Sequence, residues 1–491
     1  MKKIIINLLL CGITSFSLTS CEDFLQTDYN EGVDVDNGLE TVNNIEYAIN
    51  GTYYQLFRQY FAGNYAITIG DMAGDMAYLN GSAAHWTSIN HYNVTPDDSY
   101  LLYIWDYGYK VVDNSARIIK AGKELSGTLS ETDEKSLKLY MAEAYGLRGY
   151  AMLMMTNIFG KQVKVNGTKD NSDANGIVIV DEPVEAFAQV SRSSVGACYE
   201  AILNDFQQAL DCYAASGTTG RGVTEYLSVA AIEGLMARTY LYLEEFDKAK
   251  EYADKALKDS GKDVMAYTEE DYKALYNGGD SNSESIFRLA IDSNNNWAAN
   301  SCGNVWTTYG GLPSPKMCNL IEETDCRGSL YLTRKVSGSY TYMEGGKFYF
   351  GGGNTAYATN YIVNAPEMYL IIAEANLRGT TTDLNAAKEA LLKVAKRNSA
   401  ITLDDLGSTK EEVFAFLKDE RARELFQEGF RFYDLRRWDE KAEVYADNLD
   451  NVSYKFTNFA ISEFCYPIPA SEVNAGFGVE QTADWSNYLP K

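Results

Sequence analysis

Residues 235–257, "LMARTYLYLEEFDKAKEYADKAL", decide the fold. Small residues fall at Ala237, Ala249 and Ala256, with Tyr240 and Phe246 between them. Apolar and small positions recur at i, i+3 and i+4, the period of a helix with one buried face. A small residue in each of two helices lets their backbones approach closely, so the stretch predicts a tight helical pair. Residues 370–394, "LIIAEANLRGTTTDLNAAKEALLKV", place Ala375, Ala387 and Val394 at the same intervals. Two occurrences of one spacing argue against coincidence and for an internal repeat.

The spacing matches the tetratricopeptide pattern, in which stacked helical pairs bury a continuous core. A degenerate earlier pair runs from "AEAYGLRGYAML" (142–153) to "AILNDFQQAL" (201–210), interrupted by a loop over 160–193. Helical periodicity also covers 45–60, 102–123, 136–159, 195–213, 226–243, 247–257, 365–377, 384–397 and 411–438. Strand-like runs are few: "GIVIVDEP" (176–183), "SIFRLAI" (285–291) and "GKFYFGG" (346–352). The expected fold is therefore mainly α, a tetratricopeptide-type repeat scaffold with long loops and a few short strands. Residues 259–364 and 70–99 break the periodicity and are rich in Gly, Asn, Ser and aromatic residues. Long loops on a rigid scaffold are where recognition usually resides.

The first residues read as an address. Lys2 and Lys3 precede a mostly apolar run from Ile4 to Leu18, too short to span a bilayer comfortably. Leu18-Thr19-Ser20-Cys21 looks like a bacterial lipobox, so residues 1–20 are expected to be a signal peptide and Cys21 the acylated first residue of the mature chain. At about 0.8 kcal/mol per buried methylene, several acyl chains on one cysteine make an effective anchor. Residues 21–40 would then form the lipidated N-terminus and tether, and 41–491 the body. No later apolar run approaches the length of a membrane-spanning helix.

The net charge is −25, and a leader with two lysines and no acid leaves the mature chain near −27. Such a body repels nucleic acid and anionic membrane surfaces, and neutral ligands suit it best. Beyond Cys11 and Cys21 there are six cysteines and no C-x-x-C. A disulfide framework would be unusual in so long a chain, although the spacing leaves a Cys302–Cys318 or Cys318–Cys326 bridge open.

Enzyme chemistry has little raw material. His85 and His91 are the only histidines, which disfavours histidine triads and clustered metal sites. Nucleophile elbow, H-E-x-x-H, Walker and dinucleotide-binding motifs are missing, so no cofactor, metal or catalytic residue is expected. "DVDNG" (34–38) lacks EF-hand spacing, and the sequence leaves open whether a cation such as Ca²⁺ occupies one of the acidic loops. Asp71 and Asp75, in "GDMAGDM", could form a carboxylate pair for glycosidic cleavage, but such residues more often cap helices or bind a ligand hydroxyl.

Six stretches, in order, resemble the SusD/RagB family of surface nutrient-binding lipoproteins: 142–160, "AEAYGLRGYAMLMMTNIFG"; 179–183, "IVDEP"; 191–210, "SRSSVGACYEAILNDFQQAL"; 366–378, "PEMYLIIAEANLR"; 420–438, "ERARELFQEGFRFYDLRRW"; and 466–475, "YPIPASEVNA". "LLKVAKRN" (391–398) departs from the family's Asn-x-x-Arg run, which implies an altered local contact. The resemblance implies a SusD-like fold and a binding protein rather than an enzyme. It further implies a lid on a SusC-like TonB-dependent barrel in the outer membrane, facing the cell exterior and delivering oligosaccharide or, less often, peptide. Glu22-Asp23 fits the acidic stretch that follows the lipid cysteine in such surface proteins.

Within 420–438, Arg421, Glu424, Glu428 and Arg431 are three to four apart and are expected to share a helix face and pair along it. With Leu425, Phe426, Phe432, Leu435 and Trp438 beside them, they read as scaffold. Sugar rings present apolar C–H faces to aromatic side chains and hydroxyls to amides, carboxylates and Arg. Of 37 tyrosines, 20 phenylalanines and six tryptophans, those on polar loops are therefore the candidates. Trp86, with His85 and Asn90, and Trp306, with Tyr309, lead. The resemblance also favours a stacking aromatic in the Trp86 loop. Trp297, Tyr78 and Asp75 complete the expected ligand contacts, whereas Trp105 and Trp485 are not expected to be among them. Capture of peptide through backbone hydrogen bonds and apolar pockets, a structural lid with little affinity of its own, and a glycosidase remain the alternatives.

Overall fold

The computed structural model describes residues 38–79, 85–336, 339–342, 345–445 and 454–490. The signal peptide, Cys21 and most of the 21–40 tether lie outside these residues.

Helices dominate, and local chemistry sets their starts. Thr41, Asp98, Ser130, Ser194 and Ser228 accept backbone N–H groups through their side chains at the heads of Val42–Phe57, Ser99–Leu125, Glu131–Phe159, Val195–Ser216 and Val229–Tyr242. Gly217 and Gly261 close two helices in the left-handed conformation. Val229–Tyr242 packs on Phe246–Ser260, and Ala365–Arg378 on Leu384–Ala395. The small residues of both pairs, Ala237, Ala249, Ala256, Ala375, Ala387 and Val394, are all buried. Phe246–Ser260 also packs on Ala365–Arg378, which stacks one pair on the other. The degenerate pair is present too, as Glu131–Phe159 against Val195–Ser216.

Ion pairs lock the stack from within. Arg238 of the first pair donates to Glu367 of the second at 2.7 Å from both Nε and Nη2. Arg148 donates to Asp205 at 2.8 and 2.6 Å. Arg437 reaches Glu374 at 2.5 and 2.7 Å, and the Trp438 indole donates to the same carboxylate at 3.1 Å. Trp438 is thus scaffold, as its sequence context suggests.

The region 411–438 is two helices, not one: Lys410–Leu425 and Arg431–Trp438. Gln427 and Gly429 break it with φ of 68° and 81°. A Cβ on Gly70 would overlap the Gly429 carbonyl, so the two backbones touch there and only glycine fits. The break also redirects the charges. Arg421 pairs with Asp434, Glu424 with Arg327 and Arg397, Glu428 with Lys347, and Arg431 with Asp75. Pairing along one helix face gives way to pairing across the break and with distant segments. Arg397, within the 391–398 departure, is fully buried between Glu284 and Glu424.

The described strands form two-stranded antiparallel ladders. "SIFRLAI" supplies Ser285–Arg288, paired with Tyr361–Asn364. "GIVIVDEP" is irregular instead. Gly176 and Ile177 bond the Ser193 backbone, and beyond them side chains take over: Tyr109 bonds Val178 in both directions at 2.8 and 3.0 Å, and Arg148 donates to the Val180 and Asp181 carbonyls. "GKFYFGG" is two short 3₁₀ turns, Gly346–Phe348 and Phe350–Gly352, with positive φ at Gly345, Gly346, Phe350 and Gly351. Cys198, Cys212, Cys302, Cys318, Cys326 and Cys465 are all free thiols, so neither candidate bridge is formed.

Candidate functional site

A three-residue ladder assembles the site. Ala77–Leu79 pairs antiparallel with Gly311–Pro313, Tyr78 opposite Leu312. It stitches the 70–99 loop to the 259–364 loop and brings His85 to Tyr309, ring centroids 4.1 Å apart. The His85 Nδ1 lies 3.5 Å from the Tyr100 hydroxyl.

Trp86 sits beside them with φ 64°, a left-handed conformation that costs a non-glycine residue of the order of 1 kcal/mol or more. Its ring stacks on Tyr100 at 4.2 Å and 19° and meets the edge of Tyr65 at 5.5 Å. The Trp86 amide donates to the Tyr100 hydroxyl at 3.2 Å. With only 2 % of its surface exposed, Trp86 backs the site and Tyr100 covers it.

From Tyr65 a chain of rings continues. Tyr65 contacts Tyr100, Tyr103 and Tyr60 at 4.9, 6.4 and 5.7 Å. Tyr60 stacks on Tyr103 at 4.3 Å and 24° and meets Tyr107 at 4.8 Å. The Arg58 guanidinium then lies 5.4 Å from Tyr60, 5.4 Å from Tyr107, 5.8 Å from Tyr54 and 4.6 Å from Trp297. Trp297 packs on Phe57 and donates its indole N–H to the Phe57 carbonyl at 2.9 Å. Tyr60, Tyr65, Tyr100, Tyr103, Tyr107, Trp297 and Tyr309 are all partly exposed.

The result is an aromatic face with polar edges. Burial, and then the neighbouring phenols Tyr100 and Tyr60, push the Tyr65 hydroxyl well above its ordinary range. Its hydroxyl stays neutral and can both donate and accept. The Arg58 Nε is buried and has no hydrogen-bond partner among the described residues. Such a cation held among rings gains about 2 kcal/mol from them when desolvated.

Four expected contacts lie beneath this face. Trp306 is 3 % exposed and packs edge-on against Phe426 at 5.2 Å. Asn90 is buried and donates to the Met72 carbonyl at 2.9 Å. Tyr78 is buried in the ladder. Asp75 accepts from Arg431 at 2.6 and 3.2 Å and from Lys316 at 2.7 Å. Burial pushes its carboxyl up, but Arg431 and Lys316 prevail and hold it below the usual carboxylate range. These four fix the loops and are out of reach of a ligand on the surface.

The other carboxylate of the pair is buried as well, but one of its oxygens, Oδ1, has no partner among the described residues. Asp71 accepts the Gly429 amide at 2.9 Å through the other. Burial pushes it up to about 8, against the Gly429 and Gln427 amides. Among the described residues no group of His, Cys, Asp and Glu is arranged to hold a metal ion.

Tyr60, Tyr65, Tyr100, Tyr103, Tyr107 and Arg58 escaped the sequence reading. Their signal was the spacing of Tyr100, Tyr103 and Tyr107, which lines one side of a helix whose other side carries Trp105. Trp105 is core, packed on Phe159 at 5.0 Å.

Comparison with known proteins places the chain. Residues 352–485 match the SusD family and residues 25–241 match the family described as starch-binding and associating with the outer membrane. A SusD superfamily protein from Bacteroides thetaiotaomicron shares 24 % identity with a TM-score of 0.76, over 92 % of this chain and 100 % of that one. A putative sugar binding protein from Bacteroides vulgatus shares 23 % with a TM-score of 0.78, over 91 % and 99 %. A SusD-like carbohydrate binding protein from the same organism shares 22 % with a TM-score of 0.69, over 82 % and 84 %. No curated protein matches the sequence. The chain belongs to the SusD/RagB family and has its fold.

Proposed function

We propose that this protein is a lipid-anchored, cell-surface carbohydrate-binding protein of the outer membrane, non-catalytic, which captures oligo- or polysaccharide and hands it to a SusC-like TonB-dependent barrel. The observation that carries the reading is the aromatic face from His85 and Tyr309 to Trp297. Rings spaced 4–6 Å apart, with phenol hydroxyls and a guanidinium among them, suit the alternating apolar faces and hydroxyls of a glycan. The family description as starch-binding and the sugar-binding neighbours support the same ligand class. The barrel partner, the export route and the 1–20, 21–40 and 41–491 division rest on family resemblance and the lipobox. Among the described residues no helix is long and apolar enough to cross a membrane, in keeping with attachment through Cys21.

The ligand contacts proposed are His85, Tyr309 and Trp297, with Trp86 acting through Tyr100. Native affinity electrophoresis through gels containing different polysaccharides tests the reading. Retardation by one glycan, reduced in Trp297→Ala and Tyr309→Ala, is the expected result. Free migration of the wild type in every gel would leave peptide capture or an affinity-free lid.

A further inference from the structure

The aromatic face does not end at Trp297. Tyr54, 44 % exposed, contacts Trp297 at 5.8 Å, and both Tyr54 and Phe57 turn from it into a separate cleft of about 410 Å³. The cleft lies between the Val42–Phe57 helix, the 223–226 loop and the 289–295 loop. We propose that it is a second carbohydrate subsite, holding further rings of the same neutral glycan. The inference rests on the reading above and extends it: the ligand is a chain long enough to reach from the face through Trp297 into the cleft.

Its walls have the composition such a site needs. Tyr54, Phe57 and Tyr226 supply ring surface, and Asn50, Asn295 and Glu225 supply polar edges. Tyr226 is held firmly, with the edge of Tyr53 5.0 Å away and the Arg221 guanidinium 4.1 Å from its ring. Each amide is anchored by one end and uncommitted at the other. Asn50 Oδ1 accepts from Arg221 at 3.1 Å, leaving its Nδ2 without a partner among the described residues. Asn295 Nδ2 donates to the Ala290 carbonyl at 2.6 Å, leaving its Oδ1 likewise uncommitted. One donor and one acceptor, pre-positioned beside apolar rings, match vicinal sugar hydroxyls.

Charge narrows the ligand class. Arg221 is neutralised by Glu143 at 2.7 Å from two nitrogens, and Arg288 by Glu225. Among the described residues lining the cleft there is no unpaired cation to hold an anion, and the chain carries −25 overall. The cleft therefore suits neutral sugar rings, whereas an acidic ring is repelled there.

The test uses the full chain in detergent. Native gels containing starch, xylan, mannan and inulin identify a polysaccharide that retards it, and a ladder of that polysaccharide's oligosaccharides is then titrated by calorimetry. Wild-type affinity should rise with chain length beyond what the face alone can cover. Tyr226→Ala and Asn295→Ala should each lower affinity for long oligosaccharides by up to about tenfold and leave the shortest binders unchanged. Tyr103→Ala, on the face, should weaken both. Thermal unfolding of each variant controls for folding, including loss of the Asn295–Ala290 hydrogen bond, and Asn295→Ala leaves the Arg221–Tyr226 packing in place. Long-chain affinity equal to wild type in folded Asn295→Ala and Tyr226→Ala would overturn the cleft while the face stands. Absence of retardation in every gel would overturn both readings together.

Discussion

In the Lys410–Leu425 and Arg431–Trp438 helices the buried charged side chains are paired with opposite charges or with backbone carbonyls, although Arg421 Nη1 and Arg436 Nε keep no partner among the described residues. Glu420 and Glu424 hold Arg327, Arg421 holds Asp434, and Arg436 donates to the Asn157 and Gly160 carbonyls at 2.6 and 2.7 Å. Along the face from Trp86 to Trp297 the reverse holds. Rings stack on rings, and one guanidinium sits among them with no carboxylate paired to it among the described residues. The most conspicuous stretch of the sequence therefore builds the scaffold, and an inconspicuous run of tyrosines builds the surface. A buried charge must be matched on the spot, because an unpaired one costs several kcal/mol. A recognition surface must leave groups unmatched until the ligand arrives.

That contrast can be broken by mutation. The largest effect is expected from Glu367→Ala, which leaves Arg238 buried with only the Ile362 carbonyl to accept from it. Urea unfolding should show a loss of about 3–5 kcal/mol; a loss below about 1 kcal/mol would mean that the stacked pairs do not depend on this ion pair.

Acid sharpens the same point. Burial pushes Glu420 up, yet Arg327 and Arg423 outweigh it and hold the carboxyl at about 2, against 4.5 for a free glutamate. The folded-state value is the lower one, so this stabilisation, about 3 kcal/mol, is present above about pH 4.5 and lost as pH falls toward about 2. Urea unfolding measured across that window should steepen in the wild type and flatten in Glu420→Gln. Equal slopes would show that the charge on Glu420 contributes nothing there.

On the face, Tyr103→Ala should lower glycan affinity by about 1 kcal/mol by calorimetry while thermal unfolding stays close to wild type. A large loss of stability with intact affinity would reassign the tyrosines to the scaffold. The smallest effect belongs to neither region. Lys250 pairs with Asp254 at 3.4 Å in the open, and Lys250→Ala should change stability by less than about 0.5 kcal/mol.

The sequence by itself determined the helical repeats, because the small residues at 237, 249, 256, 375, 387 and 394 carry their own spacing and helix periodicity is local. It also marked the two loop regions and, through six motifs, the family. It misjudged the strand over 176–183, where the side chains of Tyr109 and Arg148 replace a ladder, and the single helix over 411–438, which contact between Gly70 and Gly429 divides. Only the tertiary structure decided which aromatics face outward. Trp86 and Trp306 sit on loops with polar neighbours, as a ligand contact would, yet Tyr100 and Phe426 cover them. Tyr103 sits in a helix, as core would, yet that helix presents it at the surface. Exposure is set by what packs against a residue from elsewhere in the chain, and here Tyr100 over Trp86 and Phe426 against Trp306 made that choice.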